Sequence, residues 1–364
     1  MEKEYSRNLW PILGLPIDAV NMRQTIDKIY QAIEDNEKLF ISTPNINFIV
    51  TALNNQTFRQ SIINSDLSIA DGLPLIWVAR MLRIPILEKV SGSNLAEELM
   101  LNKANRERPI RVFFFGGEEG VAEQACIKLN SQHSGLTGAG SYYPGFGSVA
   151  DMSRQSVIDK INQSNADFIV VALGAQKGQE WIECNRKHLN APVISHLGAM
   201  INFIAGTKSR APLMLQKLGC EWLWRIKEEP ALWNRYFRDG IQFLKLLFTR
   251  VIPYSFFIRR RSERPNDPSE NLITVDNQSL ALFMPRVILE GDLDLLKNKL
   301  SDIPKNTHLT LNFEKTEYID PSVISFLITL RKVFGNKLTI SDTSTEIKKI
   351  IKYNCAEYLF DSQV

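Results

Sequence analysis

The sequence has 364 residues, of which 44% are hydrophobic and 23% are charged, and its formal net charge is +3. These proportions are typical of a soluble globular protein with one large domain or two ordinary domains and a sizeable core. Because residues 1–8 are charged and no run of about 18 apolar residues occurs, we expect neither a signal peptide nor a membrane span.

The cysteines and histidines show no pattern of a metal site. The four cysteines lie far apart without CxxC spacing: Cys126, Cys184, Cys220 and Cys355. This pattern favours free thiols in a reducing cytosol over disulfides or zinc. The four histidines also lack the spacing of metal ligands: His133, His188, His196 and His308. The sequence therefore predicts no bound metal.

Two successive strand-to-helix turns lie in the first quarter of the chain. A buried strand over Leu39–Ser42 ends at Thr43-Pro44-Asn45, and a strand over Leu67–Ala70 ends at Asp71-Gly72, before a helix over Pro74–Leu82. In open α/β sheets, small ligands bind at the edge where such turns lie. These turns therefore predict one side of a ligand-binding cleft.

Polar residues near these turns have structural interpretations, and those at two of the turns have functional ones as well. Asp71 is placed either to act as a general base or to cap the helix after it. Asn45 is placed to cap its own helix. The hydroxyl residues Ser91 and Ser93, in the run Val90–Asn94 before another helix, either cap that helix or contact a phosphate or sugar. The residues alone leave each pair of alternatives open.

Glycine and aromatic residues follow the next predicted strands. The apolar strand Ile110–Phe115 runs into Gly116 and Gly117, a turn that lets a nucleotide approach the backbone but is not a GxGxxG motif. Tyr143 lies in an aromatic and glycine loop over residues 141–147. Such a loop suits the stacking of a base or sugar, and equally a plain turn.

Two more strands complete the predicted sheet, over Asp167–Leu173 and Val193–Leu197. The turn after the first of them contains Gly174, Lys177, Gln179 and Glu180. Five alternating β/α units within about 190 residues predict an α/β fold with a doubly wound, Rossmann-like and mostly parallel sheet.

Residues 206–261 form a basic segment that is rich in aromatic residues. The net charge is +8 over residues 205–264, against −2 for residues 1–204 and −3 for residues 265–364. Apolar residues recur at helical spacing among the arginines. This composition is typical of helices lying on an anionic membrane surface, and also of a helical hairpin packed on the sheet. Because no nucleic-acid-binding motif is present, nucleic acid is not a predicted partner.

The end of the chain predicts a linker and a second folded unit. Residues 262–270 are polar with two prolines, which is typical of a linker. Strands are expected near residues 272–275, 281–284, 309–313 and 338–340, and helices near 294–300, 321–333 and 345–353. The predicted organisation is an α/β core over 1–205, a basic helical appendage over 206–261, the linker, and a small α/β domain over 271–364.

Short motifs occur in a fixed order between residue 10 and about residue 240. They are Thr43-Pro44-Asn45, Ala70-Asp71-Gly72, Ser91-Gly92-Ser93, Phe114-Phe115-Gly116-Gly117, Tyr143-Pro144-Gly145, Gly174 with Lys177 and Gln179-Glu180, Gly219-Cys220-Glu221-Trp222-Leu223, Arg225 and Glu229-Pro230. Together they resemble the WecG/TagA/CpsF family of glycosyltransferases, which build bacterial surface polysaccharides on lipid carriers. The resemblance implies inverting, metal-independent transfer of a hexose or N-acetylhexosamine from a UDP-sugar to a polyprenyl-diphosphate-linked saccharide.

The resemblance also implies roles for residues. Asp71 matches the proposed general base, and Thr43 and Asn45 match sugar-contacting positions, with Thr43 counted as catalytic beside Asp71. Arg225 and Arg235 match arginines that reach a diphosphate. The other expected substrate-binding residues are Ser93, Gly116, Gly117, Tyr143, Gly174, Lys177, Gln179 and Glu180. No cofactor is expected beyond the UDP-sugar substrate, and no DxD-type acidic pair stands where it would hold a metal.

Two departures from the family pattern are visible. Many members carry a Pro-Lys-Gln-Glu run where this chain has Gln176-Lys177-Gly178-Gln179-Glu180, so the glutamine that serves is not fixed by the pattern. After Glu229-Pro230, the residues Ala231, Leu232 and Asn234 stand where relatives carry more arginine. Anion binding there is expected to be weaker or shared with Arg238.

The unit over residues 271–364 resembles a STAS domain, the fold of anti-sigma-factor antagonists and sulfate-transporter tails. Gly291-Asp292-Leu293-Asp294, Tyr318-Ile319-Asp320-Pro321-Ser322 and Leu330-Arg331-Lys332 carry that resemblance. Those antagonists are switched by phosphorylation of the serine after the aspartate, and here that position is Pro321. Ser322 is then expected to be a residue of the helix N-terminus, and the domain to dock a protein partner.

These expectations describe an enzyme in the cytoplasm, held peripherally on the inner face of the bacterial cell membrane through residues 206–261. The alternative is a regulatory or scaffold protein, in which the sheet binds a nucleotide sugar without turnover and the STAS-like domain recruits partners. The presence of Asp71, Thr43 and Gln179 favours the enzyme.

Overall fold

A computed structural model describes residues 2–101, 108–261, 274–276, 280–301 and 303–360. The chain forms two compact units. The first, here the sheet unit, comprises Val20–Ile76 and Glu88–Gly240, and the second, here the C-terminal unit, comprises Met1–Ala19, Trp77–Leu87 and Ile241–Val364. This grouping places the first 19 residues with the C-terminal unit, whereas the predicted organisation placed them with the core. The predicted linker at 262–270 lies outside the described residues.

Strands and helices alternate through the first 205 residues. In chain order they are α1 (Glu2–Tyr5), β1 (Leu9–Ile12), β2 (Leu15–Asp18), α2 (Met22–Glu34), β3 (Leu39–Ser42), α3 (Ile46–Asn54), α4 (Gln56–Ile63), β4 (Leu67–Ser68), α5 (Leu73–Met81), α6 (Gly92–Leu101), β5 (Ile110–Gly116), α7 (Val121–Ser131), β6 (Leu136–Tyr142), α8 (Gln155–Gln163), β7 (Phe168–Ala172), α9 (Ala175–Asn185), β8 (Val193–His196) and α10 (Gly198–Ala205).

The second part of the chain begins with helices and continues with shorter strands. In order these are α11 (Leu213–Leu218), α12 (Glu221–Glu228), α13 (Trp233–Leu246), a π-helical turn (Leu247–Val251), α14 (Ile252–Arg261), β9 (Thr274–Asp276), β10 (Ala281–Phe283), β11 (Val287–Ile288), α15 (Leu293–Ser301), β12 (Leu309–Asn312), β13 (Tyr318–Ile319), α16 (Pro321–Phe334), β14 (Leu338–Ser341) and α17 (Thr345–Tyr353).

The sheet unit is built on one six-stranded sheet in the order β4-β3-β8-β7-β5-β6. Every neighbouring pair is parallel. A parallel sheet needs helical crossovers, which cover both of its faces. The predicted α/β class with a parallel, Rossmann-like sheet is confirmed. Because the strands are parallel, all their carboxyl ends lie at the same edge.

The core of the sheet unit consists of two clusters, one on each face of the sheet. Alternate residues of a strand point to opposite faces, so Val112 and Phe114 join one cluster while Phe113 and Phe115 join the other. The first cluster contains residues of α2, α6, α7 and α10, and the second contains residues of α8 and α9. This double coverage explains why β5 is apolar at almost every position.

Strand β6 was not recognised in the sequence, although the loop that follows it was expected to leave a strand end. Its interior contains Gly138 and Gly140, and glycine is unfavourable within a strand. A Cβ at Gly138 would lie 2.8 Å from Cα of Cys126 in α7. The glycine therefore allows α7 to pack directly on the strand. Because this position cannot hold a β-branched residue, the strand lacks one of the residues by which strands are recognised in a sequence.

The C-terminal unit combines both ends of the chain. Its main sheet has the order β14-β12-β10-β9, in which β10, β12 and β14 are parallel and β9 is antiparallel, and β11 and β13 form a separate parallel pair. The antiparallel hairpin β1–β2 belongs to the same unit. The Tyr5 ring lies 5.8 Å from that of Phe326 in α16, and the Tyr358 hydroxyl donates to the carbonyl of Gly14 at 2.8 Å. The hairpin is therefore folded onto the C-terminal unit.

One helical run, Pro230–Arg260, has 31 residues and is long and apolar enough to cross a membrane by length and composition alone. It is found within the part of the chain that the structure describes. The sequence predicts no such segment, because the nearly continuous apolar residues at 246–258 are interrupted by Arg250 and Pro253 and are too few to span a bilayer. In the structure the helical run continues through both positions.

The end of this helical run packs within the C-terminal unit. Val251, Tyr254 and Ile258 are buried. Arg250 Nη1 donates to the carbonyl of Lys352 at 2.6 Å, and the rings of Tyr254 and Tyr353 stack with centroids 5.7 Å apart. Helix α14 is thus held on α17, so this part of the basic segment contributes to a protein core.

Candidate active site

Seven of the predicted site residues lie where strands of the six-stranded sheet end, at its carboxyl edge. Thr43 and Asn45 follow β3, Asp71 follows β4, Gly116 ends β5 with Gly117 after it, Tyr143 follows β6, and Gly174 follows β7. Backbone hydrogen bonds join neighbouring turns: Asp71 N donates to the Pro44 carbonyl at 2.8 Å, and Gly117 N donates to the Ala172 carbonyl at 2.7 Å. The turns at Thr43-Pro44-Asn45 and Asp71-Gly72 are therefore adjacent in space.

Asp71 is the most perturbed carboxylate at this edge. Burial raises its pKa from 3.8 to about 6, against the positive charge of Arg225, which lowers it. Glu221 raises the pKa further and Lys89 lowers it. Within the described residues, the Asp71 side chain accepts no hydrogen bond from the amides of α5, so it does not act as a conventional helix cap.

The charges around Asp71 come from two segments of the sheet unit. Lys89 lies before α6 and forms an ion pair with Glu221 at the start of α12. Arg225 lies one turn further along α12, on the same face as Glu221. Helix α12 therefore brings one negative and one positive side chain within electrostatic reach of Asp71. A carboxylate with a pKa near neutrality is suited to accept a proton from a substrate.

We predict that two substitutions on α12 shift the pKa of Asp71 in opposite directions. Arg225→Met removes a positive charge and should raise the pKa of Asp71, whereas Glu221→Gln removes a negative charge and should lower it. The pKa is measured from the side-chain carboxyl resonance of 13C-labelled aspartate, assigned by its loss in Asp71→Asn. Lys227→Met, at an exposed position of the same helix, is the matched control and should leave the pKa unchanged. Shifts of the same sign in both test variants would contradict this electrostatic account.

Two turns that contain predicted site residues have capping contacts. The Asn45 side chain accepts a hydrogen bond from Phe48 N at 3.2 Å and so caps α3. Ser91 Oγ accepts from Asn94 N at 3.3 Å and lies 3.3 Å from Ser93 Oγ. The capping interpretation is confirmed for Asn45 and for the hydroxyl residues before α6, of which Ser91 is the cap. These contacts fix the two turns, and substrate contact by Asn45 or Ser93 stays a prediction.

The residues after β7 divide between the interior and the surface. Gln179 is fully buried, and its amide is within 3.4 Å of the hydroxyls of Ser42 and Ser61. Glu180, the next residue, is exposed. Gln179 thus joins α9 to β3 and α4, and its contact with substrate stays a prediction. Thr43 is also buried, at 5% exposure.

An open cavity of about 430 Å³ lies at this edge, between the starts of α3 and α9. It is lined by Asn47, Thr51, Gly174, Ala175, Gln176, Lys177 and Glu180. The ammonium group of Lys177 donates to the carbonyl of Gly147 at 2.8 Å. Gly174, Lys177 and Glu180 therefore line one cavity, and their contact with substrate stays a prediction. The partial positive charge at the start of α9 and the Lys177 ammonium favour an anionic group in this cavity, whereas the Glu180 carboxylate opposes one.

The aromatic loop after β6 is partly structural. The Tyr142 ring lies 6.0 Å from that of Phe115 and stacks on it, with the Lys160 ammonium 5.0 Å from the Tyr142 centroid. Tyr143 is half-buried, and Phe146 at the loop tip is fully exposed. Tyr142 therefore anchors the loop, while Tyr143 remains the predicted stacking residue.

Much of the positive charge in residues 206–229 is paired with acidic residues of the sheet unit. Lys208 forms an ion pair with Glu229 and Arg210 forms one with Glu97. Apolar side chains of the helices that follow are exposed, with Met214 in α11 exposed by 73%, and Trp233 and Phe237 in α13 by 52% and 58%. The segment is therefore anchored through its cations and presents an apolar surface.

A family model supports the motif-based resemblance. The model of the glycosyl transferase WecG/TagA/CpsF family matches residues 10–255. The chain belongs to this family. Similar proteins are the N-acetylglucosaminyldiphosphoundecaprenol N-acetyl-beta-D-mannosaminyltransferases of Staphylococcus aureus strains NCTC 8325 / PS 47 and COL, each 27% identical over 217 residues, or 59% of this chain and 82% of the relative. This member of the WecG/TagA/CpsF family is a glycosyltransferase, and the resemblance of residues 271–364 to STAS domains stays a prediction.

The departure from the family pattern at Gly178 has a structural explanation. His196, at the end of β8, lies against Gly178, and a Cβ at that position would be 2.3 Å from Cδ2 of the imidazole. His196 Nε2 lies 2.6 Å from the Leu173 carbonyl, and burial lowers the pKa of the ring. The neutral imidazole donates this hydrogen bond and holds the turn before Gly174. A residue with a side chain at position 178 would therefore collide with the imidazole of His196.

Sequence reasoning missed two features around the site: the charges that act on Asp71 and the burial of Asp239. Lys89 and Glu221 each shift the pKa of Asp71, and they form an ion pair across 132 positions of the chain, which local sequence patterns do not reveal. Glu221 was recognised only as part of a motif. Asp239 is 4% exposed and accepts a hydrogen bond from Asn47, and its burial was not expected because aspartate is almost never fully buried.

Proposed function

We propose that this glycosyltransferase transfers a hexose or N-acetylhexosamine from a UDP-sugar to a polyprenyl-diphosphate-linked saccharide, with inversion and without a metal ion. The observation that carries the proposal is the carboxylate of Asp71, which has a pKa of about 6 at the carboxyl edge of the sheet and is faced by Arg225 and Lys89. The Staphylococcus aureus relatives, whose names specify a diphosphoundecaprenol-linked acceptor, support this acceptor class.

In the proposed reaction, Asp71 takes the proton of the acceptor hydroxyl as its oxygen attacks the anomeric carbon from the face opposite UDP. The new glycosidic bond forms while the bond from the anomeric carbon to the diphosphate oxygen breaks, and UDP leaves with both electrons. Negative charge then develops on the diphosphate. Arg225 and Arg235 stabilise that charge, aided by Lys177 and the amino end of α9.

We propose a peripheral position on the inner face of the cell membrane for the enzyme. The exposed apolar residues of α11–α13 support this position, because exposed apolar side chains together with exposed cations such as Lys227 and Arg238 suit an anionic bilayer. A polyprenyl diphosphate acceptor resides in that bilayer. This arrangement brings the acceptor saccharide to the enzyme without extracting its lipid.

The proposal predicts a defined activity in a donor screen. Purified full-length enzyme is incubated with each of a panel of UDP-hexoses and UDP-N-acetylhexosamines and a short synthetic lipid diphosphate carrying N-acetylglucosamine. We expect UDP release and one elongated product with inverted anomeric configuration for one donor class, undiminished in EDTA. Release of UDP that does not depend on the acceptor would contradict transfer to a lipid-linked saccharide. Activity that depends on added Mg²⁺ would contradict the metal-independent mechanism.

A further inference from the structure

A hydrogen bond between Asn47 and Asp239 joins two elements of the sheet unit that are distant in sequence. Asn47 lies in the first turn of α3, directly after the Thr43-Pro44-Asn45 turn, and Asp239 lies in α13. Asn47 Nδ2 donates to Asp239 Oδ2 at 2.9 Å. Hydrogen bonds to an ionised acceptor are stronger than neutral ones, and their geometry is more restrictive. This bond therefore fixes where α13 meets α3.

Asp239 is an unusual residue for a position that only stabilises the fold. Its side chain is buried, at 4% exposure, and Oδ1 has no hydrogen-bond partner among the described residues. Arg238 Nε lies 3.8 Å from Oδ1, and the Arg238 side chain is 69% exposed. A buried carboxylate with incomplete partners contributes little to stability, and its best-attested use is to specify one arrangement of the elements it joins.

The arrangement that Asp239 specifies includes Arg235. The two residues are one helical turn apart, so they lie on the same face of α13. Arg235 Nε is buried without a hydrogen-bond partner among the described residues, and the guanidinium lies 5.2 Å from the Tyr236 ring centroid. A guanidinium with a buried unpaired donor is prepared to bind an anion.

Asn47 connects this face of α13 to the candidate site. Its side chain lines the open cavity of about 430 Å³, together with Thr51, Gly174 and Lys177. The same asparagine therefore contacts the cavity and the buried carboxylate of α13. Movement of α13 away from α3 would break the hydrogen bond and change the position of Arg235 relative to α3.

We propose that Asp239 is a positioning residue, which through its hydrogen bond to Asn47 holds α13 on α3 and thereby places Arg235 for the diphosphate of a substrate. The inference rests on the diphosphate-binding role of Arg235 in the proposed function. The ring contact between Trp222 and Tyr236, with centroids 6.4 Å apart, joins α12 to α13. The hydrogen bond therefore also restrains the helix that carries Arg225.

The test exchanges the two partners. Asn47→Asp places two carboxylates in contact, and the double variant N47D/D239N restores one amide and one carboxylate in swapped positions. Binding is measured by calorimetry with two probes, UDP and a short lipid diphosphate carrying N-acetylglucosamine. We expect Asn47→Asp to weaken at least one probe about tenfold, as for loss of a hydrogen bond to a charged group, and the double variant to recover within about threefold.

A background substitution separates positioning from simple stabilisation. In Arg235→Ala, Asn47→Asp should cause no further loss of affinity, because the group it misplaces is already absent, while hydrogen exchange of the α13 amides should still accelerate. Unchanged affinity for both probes in Asn47→Asp, failure of the swap to restore it, or a full additional loss in the Arg235→Ala background would each overturn the proposal. These measurements of binding and hydrogen exchange need no turnover. Their outcome therefore tests the role of Asp239 separately from the proposed transferase activity.

Discussion

Asp71→Asn is expected to lower the turnover number of the transferase by about 10²–10⁴-fold, the usual contribution of a general base. The amide is nearly isosteric with the carboxylate but cannot accept the acceptor proton. Because the Asp71 side chain makes no hydrogen bond that holds α5 within the described residues, the substitution should leave the fold intact. Turnover is measured as acceptor-dependent UDP release, and UDP affinity should stay within about threefold of the parent value.

The pH dependence of the parent enzyme provides a second measurement of the same residue. Burial raises the pKa of Asp71 to about 6, and the base acts only when ionised. The value of kcat/KM should therefore increase with pH up to about 6 and level off above it, whereas the residual activity of Asp71→Asn should lack this step. Asp159→Asn, at an exposed position in α8, is the matched control and should retain the parent profile. Unchanged turnover in Asp71→Asn would contradict the assignment of Asp71 as the general base.

A chain that ends at Arg261 is expected to lose much of its stability, because the N-terminal hairpin would lose the surface on which it folds. Tyr5, Trp10, Ile12, Leu15 and Ile17 are all at most 6% exposed in the full chain. Exposing five such side chains costs on the order of 10 kcal/mol at about 1.5–3 kcal/mol each. That cost is comparable with the whole stability of a typical domain, about 5–15 kcal/mol.

The measurement compares soluble yield and thermal unfolding of this truncated chain with those of a chain ending at Phe360. We expect the first to be insoluble, or to unfold at least about 10 °C lower, and the second to match the full protein. Specific polar contacts would also be lost, including Lys332 Nζ to Glu4 Oε1 at 2.6 Å. If the shorter chain unfolds at the same temperature as the full protein, residues 271–364 behave as a separate module joined by a linker.

Local sequence patterns predicted the strands whose own residues are apolar and are followed by turn residues. The parallel sheet and its turns were predicted because strands such as β5 are apolar on both faces and end at Gly116, Asp71 or Gly174. Strand β6 was missed because its packing against α7 requires glycine at Gly138, and glycine is also a feature of loops. For both β5 and β6, the contacts that the strand makes determine its residue types, and those residue types determine whether the strand can be recognised in the sequence.

The features of the site that the sequence did not predict depend on contacts between residues that are distant in the chain. Gln179 was predicted to contact substrate from its place in a motif, and the motif did not reveal that its amide lies near Ser42 and Ser61. The perturbation of Asp71 by Lys89 and Glu221 depends on α12 returning to the sheet edge. The basic composition of residues 206–261 was visible, whereas the pairing of Arg210 with Glu97 was not.

The distribution of the C-terminal unit over both ends of the chain affects how the protein is made. The hydrogen bond from Tyr358 to Gly14 joins residues 344 positions apart. At about 5–20 residues per second, the ribosome needs roughly 20 to 70 s to synthesise the chain between them. During that time the hairpin β1–β2 emerges without the helix α16 that covers it. Its apolar residues are then available to chaperones, and synthesis of the last hundred residues becomes the step that completes the fold of the first twenty.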